Sequence, residues 1–453
     1  MNKAVLKQIA IEARKELEDK INLQAAKIGV TQENIKNRTV RPSNQIYLGS
    51  IPLNENEQRQ RDNLIVRINE VGFEQVIDET VYTWFNRFVA LRFMEVNNYL
   101  PTKVRVLSST SEESTEPDML KEVFSLDLDI DKKHVYELKD KSRTEELFKY
   151  LIIRHCHDLN RYMPFMFKTI EDYMLILFPE GLLRKDSFLS KMTDTEIISE
   201  SAWKNVEIIG WLYQFYNDKE KDRIMKKKSK YSPEEIPIVT QLYTPNWIVR
   251  YLVQNSLGRY WVEAHPESKK LINQWEYYID HDNEFNDKVS SFYKRNINIE
   301  EIKCFDPAMG SGHILVYMFD VLYEIYSEQG YLKHEIPRLI IEKNLYGIDI
   351  DDRAYQLAAF SIVMKALQYN RRFLRNIERK GLQLNLASIQ KTNDFTAEDI
   401  VFLAGEEKGN LFDEIKALID QFKHAKSIGA LIKLKQGGTR NIEERLSILK
   451  SNG

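Results

Sequence analysis

A chain of 453 residues is long enough for two or three domains, each with its own core. Its 65 Lys and Arg against 68 Asp and Glu leave a net charge of −3, which excludes a globally basic nucleic-acid binder and confines any DNA contact to local patches. Two cysteines, Cys156 and Cys304, and the lack of any apolar leader or run of about 18 apolar residues predict a reduced, cytoplasmic protein without a membrane partner.

Taken in order, residues 2–28 repeat Ala, Leu, Ile and Val at helical spacing, and Gly29 is placed to stop that helix. Residues 34–60 are polar and carry Pro42, Gly49 and Pro52, so they read as a connector. The run from Thr80 to Glu95, within residues 72–99, is too apolar and aromatic for anything but a buried helix. For Arg87 and Arg92 inside it, two readings stand: pairing with carboxylates within a helical domain, or contact with a phosphate. Residues 108–118 form a surface loop, and residues 126–131 alternate like a strand or form a solvated acidic turn. His155, Cys156 and His157 make no metal site, because adjacent helical side chains point about 100° apart. Apolar helical stretches at 163–183 and 207–216 complete a mainly helical domain over residues 1–218.

Residues 219–240 read as a basic linker that opens with Lys219 to Lys230. This charge run is either a solvated linker or a DNA-backbone contact, with Lys226, Lys227, Lys228 and Lys230 as the candidates. Next, Thr244 reads as the N-cap of a helix with Pro245 at its first position and Ile248, Val249, Leu252 and Val253 on its core face. Residues 261–294 are polar and aromatic, helical with a break at Pro266.

The most informative stretch is Ile302-Lys-Cys-Phe-Asp-Pro-Ala-Met-Gly-Ser-Gly312. A short apolar run forms a buried strand, and Asp306-Pro307 ends it. Gly310 and Gly312 permit backbone angles and a close ligand approach that side chains block, and an apolar helix opens at His313. A second strand, Leu345-Tyr-Gly-Ile-Asp-Ile-Asp351, ends in carboxylates suited to two ribose hydroxyls, Asp349 first among them. About 40 residues separate the two acids, where a simple dinucleotide unit keeps about 20, which counts against a nicotinamide cofactor. An alanine-rich helix over 353–368 and a third strand over 382–389 follow. Residues 396–453 are helical and charged, with Gly437-Gly438 as a hinge.

In this order, Tyr243-Thr-Pro, Asp306-Pro-Ala-Met-Gly-Ser-Gly and Gly347-Ile-Asp-Ile-Asp resemble the adenine-specific DNA methyltransferases whose cofactor motifs come first. Together with Tyr82 to Glu95 and Gln241 to Val253, they are similar more narrowly to the PglX-like enzymes of BREX phage-exclusion systems. The resemblance implies S-adenosylmethionine as cofactor. Thr244 and Pro245 would lie near its methionine end, with Asp306, Ala308, Gly310 and Gly312 lining the loop. Asp349 would take the ribose and Ile350 the adenine, which Asn385 or Ser388 would also touch. The implied fold class is α/β, a mainly helical N-terminal domain followed by an incomplete Rossmann-like methyltransferase domain over 241–453, with parallel strands near 302, 346 and 384.

One departure stands out. Enzymes of this group hold the flipped adenine with Asn-Pro-Pro-aromatic, yet none of the twelve prolines here is next to another. The resemblance therefore implies an amino-terminal portion with no catalytic residues of its own, which binds double-stranded DNA weakly and is inactive unless a second chain supplies that motif. The alternative is a non-catalytic binding or scaffold module that contacts other phage-defence proteins.

Overall fold

The computed structural model describes residues 2–35, 39–40, 46–48, 51–111, 114–232, 235–282, 284–285, 288, 296–406, 408–429, 432 and 439–452. Pro42, Gly49, Pro233 and the Gly437-Gly438 pair lie outside them.

The first helix, α1 (Lys3–Lys27), begins where Asn2 accepts from the Ala4 and Val5 N–H groups at 3.1 and 3.4 Å. It buries Leu6, Ile9, Ala10, Ala13, Leu17 and Ile21 along one face. Gly29, at φ +67°, turns the chain out of it. Part of the expected connector is instead helical. Helix α2 (Glu55–Val71) starts there because Asn54 and Glu57 form a reciprocal capping box.

Helix α3 (Phe73–Val96) is the centre of the helical part. From Thr80 to Val96 almost every residue is buried, whichever way it points, so the helix is surrounded. Its rings meet Phe178 (Trp84, 4.6 Å between centroids) and Phe188 (Phe88, 5.8 Å). Helix α4 (Thr144–Asn160) carries His155 and Cys156 on its buried side. Residues 163–183, read as part of the apolar helical block, contain only the short helix Asp172–Ile176 among turns, with Pro164 before it and Pro179 after it.

Both arginines of α3 point inward. Arg92 is fully buried and donates to Glu95 at 2.7 Å, to the Ser108 hydroxyl at 2.8 Å and to the Thr193 carbonyl at 3.1 Å. The other oxygen of Glu95 accepts from the Val106 and Leu107 N–H groups at 2.8 Å each. Arg87 gives one bond, to the Lys168 carbonyl at 2.6 Å, and burial lowers its pKa. Neither side chain reaches solvent, which removes the phosphate-contact reading.

Helix α5 (Glu207–Met225) packs along α1, and Lys7 pairs with Asp218 at 2.5 Å between them. It passes through residue 218 and takes in residues 219–225 of the stretch read as a linker, because Ile224 is still buried. Lys226, Lys228 and Lys230 beyond it are exposed, and Lys227 pairs with Glu235.

Helix α6 (Asn246–Val253) precedes a small parallel sheet. Its strands are β4 (Cys304–Asp306), β5 (Leu345–Asp349) and β6 (Asn385–Ser388), numbered after an antiparallel meander of β1 (Thr39–Val40), β2 (Ile46–Leu48) and β3 (Ile51–Leu53). The parallel sheet runs β4-β5-β6, with Asp306 opposite Gly347 and Asp349 opposite Ser388. Helix α7 (His313–Glu328) follows β4, α8 (Asp352–Tyr369) follows β5, and the two pack on the sheet and on each other. Phe93 of α3 meets Phe360 of α8 edge-on at 6.3 Å, within one hydrophobic core that runs from Leu6 to Leu386. A smaller core gathers Ile400, Ala404, Ile415, Ile419 and Ile442. No helix among the described residues is long and apolar enough to cross a membrane.

Removing one member of the buried pair in α3 leaves the other charge without a partner. Glu95→Ala should lower the unfolding free energy by about 3–5 kcal/mol, and an apolar Arg92→Met/Glu95→Leu double replacement by clearly less. Denaturant titration with equal losses for both would contradict this account of the pair.

Candidate functional site

Parallel pairing brings the carboxyl ends of β4 and β5 to one edge of the sheet, and the glycine turn sits there. Asp306 closes β4 and turns one oxygen onto the Ala308 N–H at 3.1 Å. The Met309 N–H then bonds the Ile348 carbonyl of β5 at 3.1 Å, and the Gly312 N–H bonds back to Met309 at 2.8 Å. Gly310 and Gly312 have φ of +54° and +81°. At Gly312 a Cβ would also stand 3.0 Å from the Ala358 Cα, so this glycine lets α7 start directly against α8. A Cβ on Gly347 would meet the Met309 sulfur at 2.7 Å, which explains that glycine in mid-strand.

The carboxylates hold this turn. One Asp349 oxygen accepts from the Gly310 N–H at 2.8 Å and the other from the Asp351 N–H at 3.0 Å. Asp351 caps α8 through the Arg353 N–H at 3.0 Å and accepts from the Tyr213 hydroxyl at 2.8 Å. Burial raises the pKa of both Asp306 and Asp349, and for Asp349 the nearby Asp351 adds to that rise. The second Asp306 oxygen is buried with no hydrogen-bond partner among the described residues. A charged acceptor kept dry and unpaired is costly in the free protein, and it suits a cationic or N–H-bearing ligand.

A cleft of about 220 Å³ opens over this edge. Of the residues expected to bind cofactor, Ala308, Gly310, Asp349 and Ile350 line it, and Asp306 and Gly312 do not. Tyr243 lines it in place of Thr244 and Pro245, which follow it in the chain. Thr244 is not the N-cap of α6. The Pro245 carbonyl takes the first helical bonds, from Ile248 and Val249 at 3.0 and 3.2 Å, and its ψ of 139° keeps it outside the helix. Of the core face expected for α6, Val249 and Val253 are buried, whereas Leu252 is 46% exposed.

The opposite wall comes from α5, which sequence reasoning assigned only to packing. Gly210, Tyr213 and Gln214 face the cleft. Gly210 lies so close that a Cβ there would fall 2.1 Å from the Tyr243 ring. Tyr243 stacks on His313 at 4.2 Å and 25°, its hydroxyl 2.8 Å from the imidazole Nδ1. Burial pushes His313 down to about 4, so the ring is neutral at physiological pH. Trp211 stands 4.2 Å behind Tyr243, and the Lys3 ammonium lies 3.6 Å over Trp211. A column of side chains thus connects the start of α1 to the glycine turn. The sequence signal for it was Gly210 within an aromatic helix, a residue that costs helix stability unless something approaches closely.

A larger cleft of about 800 Å³ is lined by Tyr260, Glu301, Ile302 and Lys303. It lies at the amino end of β4, opposite the glycine turn, whereas ligands of open α/β sheets bind at the carboxyl ends. The small cleft is therefore the candidate.

Two measurements check this geometry. Gly312→Ala should cost more stability than Gly310→Ala: both incur about 1–2 kcal/mol for the left-handed angle, but only position 312 adds a clash with α8. The raised pKa of Asp306 means that its folded state favours the protonated acid, so its ionisation in the fold is a cost that appears as pH rises above about 4. Asp306→Asn should accordingly melt higher than the parent at pH 7, with the difference shrinking towards pH 4; a lower melting temperature at pH 7 would show that the carboxylate is already paired.

Comparison with known proteins follows the same residues. A family model described as MmeI, DNA-methyltransferase domain, matches residues 279–400, which contain the whole parallel sheet and the glycine turn. Over 96% of its length the chain is 36% identical to the adenine-specific methyltransferase BrxX of Escherichia coli O9:H4 (strain HS). Over 95% it is 36% identical to the adenine-specific methyltransferase PglX of Lacticaseibacillus casei (strain Zhang). In both comparisons the chain spans 38% of the relative's own length. The chain is thus a homologue of the PglX and BrxX adenine-specific methyltransferases, related to them along almost all of its own sequence and corresponding to 38% of theirs.

Proposed function

We propose that this chain is the S-adenosylmethionine-binding portion of a DNA adenine N6-methyltransferase of a BREX-type phage-defence system, organised as a helical domain and an incomplete Rossmann-like domain. The observation that carries the reading is the cleft at the carboxyl ends of β4 and β5, lined by Ala308 and Gly310 of a glycine turn that Asp349 holds, with the buried, unpartnered Asp306 oxygen where that turn begins. A ligand with a positive charge, a ribose diol and a flat base matches that set: an acid without a partner, a second carboxylate at the next strand end, and the apolar Ile350 between them and α8.

Asp306, Ala308, Gly310 and Gly312 would hold the methionine part, with Thr244 and Pro245 near its end. Asp349 would hold the ribose and Ile350 the adenine ring, with Ser388 at the carboxyl end of β6 on its far side; Asn385, at the amino end of that strand, instead donates to the Ile341 and Glu342 carbonyls. The cofactor supplies a methyl group on a positively charged sulfonium. The chain's own contribution is to hold the turn rigid through Gly310 and Asp349, and to wall the cleft with Tyr213 and Tyr243. Each carboxylate oxygen of Asp349 accepts one bond from the protein, which leaves acceptor capacity for hydroxyl donors.

Methyl transfer also needs the target amine held in line, and that orientation supplies much of the rate. With no adjacent prolines in its 453 residues, the chain lacks the motif that would grip a flipped adenine. In this reading a further segment or second chain supplies the grip, and duplex DNA and other defence proteins are the partners of the assembled enzyme.

Calorimetry decides the cofactor. The purified chain should bind S-adenosylmethionine, and Asp349→Ala should weaken binding at least tenfold, about 1.4 kcal/mol or more. A folded chain that releases no heat and retains no labelled cofactor would leave the scaffold reading in place of this one.

A further inference from the structure

The turn after α8 and the short helix α9 (Phe373–Lys380) carry Arg371, Arg372, Arg375, Arg379 and Lys380 within ten residues. Phe373, Leu374 and Ile377 face the core, so all five cations are exposed. The one acid of the stretch, Glu378, is matched by Arg161 at 3.3 Å. Among the described residues, none of the five cations has a carboxylate partner. Lys103 lies in a turn in which it and Asn98 both hold left-handed backbone angles, φ +60° and +57°. Side chains rarely adopt those angles. The Lys103 ammonium donates to the Asn98 carbonyl at 2.9 Å, which fixes its position. Burial lowers its pKa, and the charges of Arg375 and Arg371 add to that.

Like charges one helical turn apart oppose folding. A fold that collects them without counter-ions is suited to an anion from outside. Arg375 and Arg379 are one turn apart, about 6 Å along the helix axis, with Arg371 in the turn before them. A row of charges fits a polymer with regularly spaced phosphates better than a single small anion.

We propose that Arg371 and Arg375, flanked by Arg372 and Arg379, form a phosphate-contact site for the backbone of double-stranded DNA. The site is separate from the glycine turn. It lies at the far end of α8, whose 18 residues span about 27 Å. Of the lysines at 226–230, Lys227 is already paired with Glu235, while Lys226, Lys228 and Lys230 are exposed and stand as a second basic footprint for comparison. The choice of DNA as the polyanion rests on the function proposed above, but the site is tested without cofactor, so the two readings fail separately.

The test is fluorescence anisotropy of the full chain with a labelled duplex of mixed sequence over a salt series. For Arg371→Ala/Arg375→Ala, the slope of log affinity against log salt should shrink by about 1.8, the share of two phosphate contacts. The Lys226→Ala/Lys228→Ala/Lys230→Ala triple variant should change the slope less. Melting of the arginine variant should stay at or above that of the parent, because repulsion is relieved and no packed group is lost. An unchanged slope in the arginine variant overturns the proposal, and so does a parent chain that binds no duplex at low salt. Loss of polyglutamate binding with DNA binding intact would also overturn it, in favour of an acidic protein partner.

Discussion

The hydrogen bond from the Gly310 N–H to the Asp349 carboxylate is the contact on which the rest of the site depends. It ties the turn after one strand to the end of the next, so the distance between β4 and β5 and the shape of the loop are set together. A bond to a charged acceptor of this kind contributes about 1.5–3 kcal/mol. That is enough to hold two glycines in left-handed angles that a free loop would sample only in part. Asp351 extends the same logic one residue on, capping α8 with one oxygen and receiving the Tyr213 hydroxyl with the other.

Through Tyr213 the helical part becomes a wall of the site. The ion pairs of Asp78 with Arg353 and with Arg14, the latter at 3.2 Å, join α3, α8 and α1 behind it. The Lys3, Trp211, Tyr243 and His313 column reaches the glycine turn from the other side. A single continuous core beneath both contacts makes independent motion of the two parts expensive. The cleft is thus shaped by residues more than a hundred positions apart in sequence.

What was legible in the sequence follows from this arrangement. The glycine turn, the two acids at strand ends and the parallel strands could be read because each is a local pattern with a local cause: proline ends a strand, glycine permits a left-handed angle, alternation marks a strand. The burial of α3 from Thr80 onward could be read from its composition. Gly210, Tyr213 and His313 could not be placed at the site, because their roles come from contacts with residues distant in sequence. Thr244 failed as a cap for a subtler reason: the chain enters α6 with Pro245 still extended, so the proline stands at the cap position and no side chain caps the helix.

The most direct measurement is a crystal structure of the chain grown with S-adenosylhomocysteine, the demethylated cofactor. The account predicts ligand density between the glycine turn and Tyr213, with the ribose against Asp349. Density in the cleft beside Tyr260 and Lys303, or none at full occupancy of a well-ordered crystal, would contradict it.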